Sequence, residues 1–133
     1  MKTKAPNSNI VIIIVAAAAA LFLASCAEME ATNTKSLLSA AGFRVKTPQT
    51  PLQKEVYAAL PAYHVSRVRA NSKVAYAFKD EKAGVAYVGR EPEYQRYKQL
   101  CIEQHVAEQY YMAANWNHYY ATRWYGAWGP YWW

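Results

Sequence analysis

An unbroken apolar run from Ile10 to Ala24, preceded by Lys2 and Lys4 and followed by Ser25-Cys26, constrains this chain more than any other feature. Its 15 residues fall short of the roughly 20 that a helix needs to cross about 30 Å of hydrocarbon. They match the apolar centre of an export signal, which is cut away after use. Whatever folds must then be built from the 108 residues that start at Cys26. That is enough for one small domain and excludes a large multidomain enzyme. Five Gly, six Pro and 18% charged residues describe neither a collagen nor a highly charged disordered chain, so a packed core is expected.

The residues at the end of the run carry a more specific signal. Leu23-Ala24-Ser25-Cys26 resembles the lipobox of bacterial lipoproteins. The resemblance implies that the Cys26 thiol takes a diacylglyceryl group, that the chain is cut between Ser25 and Cys26, and that the new amino group can be acylated as well. A thiolate is the nucleophile such a transfer needs. Two or three acyl chains anchor stably, because each buried methylene contributes about 0.8 kcal/mol and one chain alone is marginal. Membrane lipid is thus the implied partner. Position 27 is Ala rather than the Asp that retains lipoproteins at the inner membrane. The implied address is the cell envelope, at the outer membrane facing the periplasm if the cell is Gram-negative. The competing reading is an uncleaved signal anchor with an incidental cysteine.

Without residues 1–25 the chain carries 13 Lys and Arg against nine Asp and Glu. In an exported protein this excess favours anionic lipid headgroups or polymers as partners, and no nucleic-acid role is expected.

Four stretches follow from composition and periodicity: the signal at 1–25, a lipidated Cys and tether at 26–36, an α+β domain at 37–112, and a helix end with an aromatic-rich tail at 113–133. Within the domain, 36–42 reads as one or two helical turns closed by Gly42. Phe43 to Thr47 alternates as a half-buried strand does. Thr50-Pro51 starts a helix that runs to about Leu60. Three strands follow, in 63–70, 74–79 and 85–88, the first weakened by Arg67 and Arg69 on the face of Tyr63 and Val65. They predict a small antiparallel three-stranded meander packed against that short helix and a long C-terminal helix. Pro92 opens the long helix, and no Gly or Pro stops it before Tyr125, so an end between 112 and 122 is expected.

The side chains with chemical potential lack partners in sequence. Cys101 and His105 lie four apart on one helical face, but no third group orients them, and Cys101 reads better as a small core residue. His64, His105 and His118 lack metal-ligand spacing. The acid pairs Glu91/Glu93 and Asp80/Glu81 fit a helix start and a turn better than the two carboxylates of a glycosidase. Gly84 and Gly89 do not form a phosphate loop, and no serine has nucleophile-elbow context. No catalytic residue, metal or cofactor is expected.

Every Trp lies between Trp116 and Trp133. Trp116, Trp124, Tyr125, Trp128, Tyr131, Trp132 and Trp133 are therefore the candidate interaction residues. Gly126, Gly129 and Pro130 argue against a continuous helix there. The rings can fold back onto the core, lie at a membrane interface, or contact a glycan such as peptidoglycan or an envelope protein. As a tail, the segment should be removable without unfolding 37–112. The resulting expectation is a lipid-anchored, non-enzymatic structural or interaction protein of the envelope. A glycan-binding module is the alternative, and a hydrolytic enzyme a more distant one.

Overall fold

The structure, a computed structural model, describes residues 31–106 and 112–129. Cys26, Ser25, Tyr131, Trp132 and Trp133 lie outside the described residues. The chain divides into two compact units, Met1–Asn33 and Thr34–Trp133. Of the first, only residues 31–33 are described, and they are helical.

The second unit is α+β, as expected. Its elements are α1 (34–40), β1 (Arg44–Lys46), α2 (Pro51–Ala59), β2 (Val65–Ala70), β3 (Lys73–Asp80), β4 (Val85–Gly89), α3 (Glu91–Glu103), β5 (Ala114–Asn115) and α4 (His118–Trp128). The meander β2-β3-β4 is present and antiparallel, with Val65 opposite Phe78 and Phe78 opposite Tyr87. The sheet is nevertheless larger than the predicted three strands. β1 pairs antiparallel with β4, β5 lies parallel to β2, and the order is β1-β4-β3-β2-β5. The alternation at 43–47 was a true strand signal that found the open edge of β4. Two residues of β5 are too few to show a period.

Alternation in the strands buries both sheet faces. On one, Tyr76 and Phe78 meet Leu37, Leu38, Phe43, Tyr94, Tyr97 and Cys101 from α1, its following turn and α3. On the other, Val68, Ala75, Ala77, Ala86 and Val88 meet Val56 and Leu60 of α2 and its cap, and Ala121 and Trp124 of α4. The alanines on β3 and β4 let helices approach closely on that face, whereas the first face takes large rings. Gly89 serves the first face too: a Cβ there would lie 2.7 Å from the Phe43 ring.

The helix boundaries follow local chemistry. Thr50 Oγ1 accepts from the Gln53 N–H at 3.1 Å and Gln53 Oε1 accepts from the Thr50 N–H at 3.2 Å, a reciprocal cap on α2. α1 ends as expected at Gly42, whose φ of 98° lets the Phe43 N–H reach Leu38 O and the Gly42 N–H reach Ser39 O. Its beginning corrects the tether, because residues 31–36 are already helical.

The long C-terminal helix is also corrected. α3 stops at Glu103 because His105 takes φ 55°, and the N–H groups of His105 and Val106 bond Ile102 O and Cys101 O. This is the closure that Gly42 gives α1, made by a non-glycine residue. Packing of Val106 against the ring-lined core offsets the backbone cost. The chain then turns back through β5 to α4, which Asn117 caps by accepting from the Tyr119 N–H at 2.8 Å. α4 continues through Gly126 and ends at Gly129, φ 73°. Residues 116–128 are thus no removable tail: Trp124 is fully buried and Trp116, Tyr125 and Trp128 pack around it.

Candidate functional site

Two arginines stand where strand alternation would place core residues. β2 turns Ser66, Val68 and Ala70 into the α2/α4 face, leaving Val65, Arg67 and Arg69 on the other. Only Val65 of these three is buried. Arg67 is half-buried and Arg69 is exposed.

Arg67 lies over the Tyr76 ring at 5.7 Å and donates from Nε to the Tyr76 hydroxyl at 3.3 Å. Its Nη1 donates to Asn115 of β5 at 3.4 Å. The Tyr76 hydroxyl donates to Glu91 at 2.5 Å, and Gln95 Nε2 donates to the other oxygen of that carboxylate. The Tyr94 ring stacks on Tyr76 with centroids 4.0 Å apart, and its hydroxyl accepts from the Ala113 N–H at 2.9 Å. Lys98 Nζ lies 5.3 Å from the centre of the Tyr94 ring. α3 thereby delivers Glu91, Tyr94, Gln95 and Lys98 from one side to meet a β2-β3 pair on the other.

Charge states follow from this packing. Burial, helped by the bond to Glu91 and opposed by Arg67, pushes the Tyr76 phenol up to about 12. The bond from Tyr76 holds Glu91 below the usual carboxylate range against desolvation, with Gln95, Arg67 and Lys98 contributing. At neutral pH the phenol is protonated and the carboxylate ionised. Neither is poised to exchange a proton near pH 7.

The residues weighed in the sequence are dispersed. Cys101 is fully buried, and burial pushes its thiol up despite a bond with Tyr97. His105 is exposed and beyond the end of α3, so the two do not share a helical face. His64 and His118 are exposed as well. Among the described residues no three His, Cys, Asp or Glu side chains converge. Glu93 caps α3 by accepting from the Arg90 N–H at 3.0 Å and pairs with Arg90 and Arg96. Asp80 is buried rather than solvated, held by Lys35 at 2.9 Å and by the Ala83 N–H at 3.2 Å.

Of the aromatic candidates, Trp124 is 1% exposed and Trp116, Tyr125 and Trp128 are partly buried against the α2/α4 face. Tyr125 donates to Val68 O at 3.2 Å. Among the described rings of 116–128, the one left in solvent is Tyr119, at 59% exposed. It stands edge-on to Tyr120, which stacks on Trp116. Sequence reasoning missed Tyr119 and the Arg67–Tyr76–Glu91 group, although the two arginines on an apolar strand face signalled the latter. No protein-family model matches this chain, and no curated protein or solved structure is significantly similar to it.

Proposed function

We propose that the chain is a lipid-anchored protein of the bacterial envelope with a structural or interaction role and no catalytic one. The carrying observation is Leu23-Ala24-Ser25-Cys26 directly after the apolar run. The fold supports the non-catalytic part through its titratable groups. Cys101 is spent on the core, Asp80 and Glu93 on ion pairs that fasten helices, and Glu91 on a phenol. Intact-mass measurement of the protein from a bacterial host tests the anchor. Cleavage before Cys26 with acyl mass on the mature chain is expected, and Cys26→Ser should leave an unlipidated full-length precursor. A mature chain without acyl mass would overturn the reading.

A second reading, an envelope module that binds glycan, is favoured by the exposed ring of Tyr119 beside Tyr120 and Trp116. Arg123 lies over Tyr119 at 5.5 Å and pairs with Glu55 at 2.7 Å, adding hydrogen-bonding groups beside the rings. Loss of sedimentation with peptidoglycan in Tyr119→Ala, without loss of stability, is the result this reading requires.

A further inference from the structure

We infer that the Tyr119 ring, with the Glu55–Arg123 pair beside it, binds an uncharged pyranose of a glycan strand. The inference deepens the glycan-binding reading and rests on it: the group recognised is the sugar ring itself, and not the charged peptide stems of a wall polymer.

The site is built where α4 lies against α2. Glu55 pairs with Arg123 and Gln53 donates to Ala127 O, so the two helices run antiparallel. Tyr119 and Arg123 are four residues apart on α4 and share a face, with the guanidinium over the ring at 5.5 Å. From Tyr119 the ring contacts run inward. Tyr119 meets Tyr120 with centroids 5.1 Å apart, Tyr120 stacks on Trp116 at 5.9 Å, and Trp116 meets the fully buried Trp124 at 5.9 Å. A ring supported in this way has little freedom left to lose on binding. It is nevertheless mostly in solvent.

The chemistry of these three side chains selects the occupant. An aromatic face is apolar and carries negative charge density, so it attracts the polarised C–H groups that line one face of a pyranose. Glu55 only accepts hydrogen bonds and Arg123 only donates them. They meet through Oε2 and Nη2 at 2.7 Å, and both side chains remain partly exposed. Among the described residues the other Glu55 oxygen makes no hydrogen bond. The charges of the pair cancel. An anionic ligand would meet Glu55 and a cationic one Arg123, whereas a sugar hydroxyl donates to the first and accepts from the second. Size points the same way. Among the described residues of α2 and α4, Tyr119 is the one large apolar side chain exposed, and its neighbours His118 and Thr122 are exposed and polar. A stable protein partner needs roughly 1,200–2,000 Å² with an apolar centre, but one aromatic ring is matched by one sugar.

The test titrates the mature lipidated protein, in micelles of an uncharged, sugar-free detergent, with the hexamer of N-acetylglucosamine by isothermal calorimetry. Binding is expected for the native protein, at least tenfold weaker in Tyr119→Ala and in Glu55→Ala. Tyr119→Phe keeps the ring and should bind as the native protein does, as should Ile102→Thr, which removes an exposed apolar group on α3. Circular dichroism melting should be unchanged in all four variants, since none of these side chains is buried. A hexamer of galacturonic acid, with a carboxylate on every sugar, should bind at least tenfold more weakly than the uncharged hexamer. The inference is overturned if the native protein ignores the uncharged hexamer, if either alanine variant binds it unchanged, if Tyr119→Phe loses it, or if the acidic hexamer binds as well. Sedimentation with peptidoglycan sacculi separates this claim from the reading beneath it. Tyr119-dependent sedimentation by a protein that ignores the hexamer refutes only the sugar assignment, whereas failure of both refutes the glycan-binding reading and the inference with it.

Discussion

Tyr76 and Tyr94 stack with centroids 4.0 Å apart and planes 11° from parallel, joining the middle of the sheet to the first turns of α3. Their hydroxyls point the pair in two directions, Tyr76 to Glu91 and Tyr94 to the Ala113 N–H. Tyr94→Phe keeps the stack and orphans that N–H, which should cost about 1–3 kcal/mol. Tyr94→Ala removes a side chain that is 3% exposed and should cost about 3–5 kcal/mol. Denaturant titration of both variants separates hydrogen bond from packing. Equal losses would show that the hydroxyl carries no separate weight.

Phe78→Ala tests the assignment of faces. The ring is fully buried and meets Tyr63 and Tyr87 edge-on, both at 6.2 Å. A loss of roughly 3–5 kcal/mol is expected, enough to unfold a domain of marginal stability. A change below about 1 kcal/mol would contradict burial on that scale.

The strand periodicities and the caps at Thr50 and Gly42 were legible in the sequence because each is a local event, decided by neighbours within a few residues. The end of α3 was not. Its stop depends on His105 adopting a left-handed backbone, stabilised by where Val106 lands in the core, and no residue nearby announces it. The place of the aromatic segment was hidden for a related reason. Small alanines on β3 and β4 open a shallow second face that only a large ring such as Trp124 fills, and their complementarity is visible only once the sheet exists. Arg67 and Arg69 conflict with an apolar strand face in the sequence itself. Their chemistry could not be read without α3 laid across the same face.

Gly89→Ala should be destabilising although the residue has no unusual backbone. A methyl group would sit 2.7 Å from the Phe43 ring, and that ring is confined by Tyr97, 6.2 Å away. Overpacking of this kind costs about 1–3 kcal/mol. Pairing it with Phe43→Leu, which clears the space, should recover part of the loss. Additive losses in the double variant would place the strain elsewhere.

Acid should loosen the domain through Asp80. Burial alone would raise its pKa. The bond from Lys35 and those from the Ala83 and Lys82 N–H groups outweigh burial and hold the pKa below the usual carboxylate range. A depressed folded-state pKa means stability that is complete above the unfolded value, about 3.9, and lost as pH falls through the folded one. Glu91 and Glu93 are shifted the same way and add to the same acid limb. Lys35→Met should cost roughly 1.5–3 kcal/mol at pH 7 and flatten that limb. A variant whose stability falls with acid as steeply as the native protein's would remove Lys35–Asp80 as a cause.

Truncation after Trp116 should abolish cooperative melting. The deleted chain contains Ala121 and Trp124, which close the α2/α4 face over Val56, Leu60, Val68 and Val88. It also contains Arg123, which binds Glu55 of α2, and Ala127, whose carbonyl accepts from Gln53. Exposing that face would uncover several apolar side chains at about 1.5–3 kcal/mol each, comparable with the whole stability of a small domain. Trp124→Ala should reproduce much of the effect, at about 3–5 kcal/mol. Trp124→Phe should cost less than the ring volume suggests, because the buried indole N–H has no acceptor among the described residues and its removal relieves an unpaired donor. A truncated chain that still melts cooperatively near the native temperature would detach α4 from the core and return its rings to the surface.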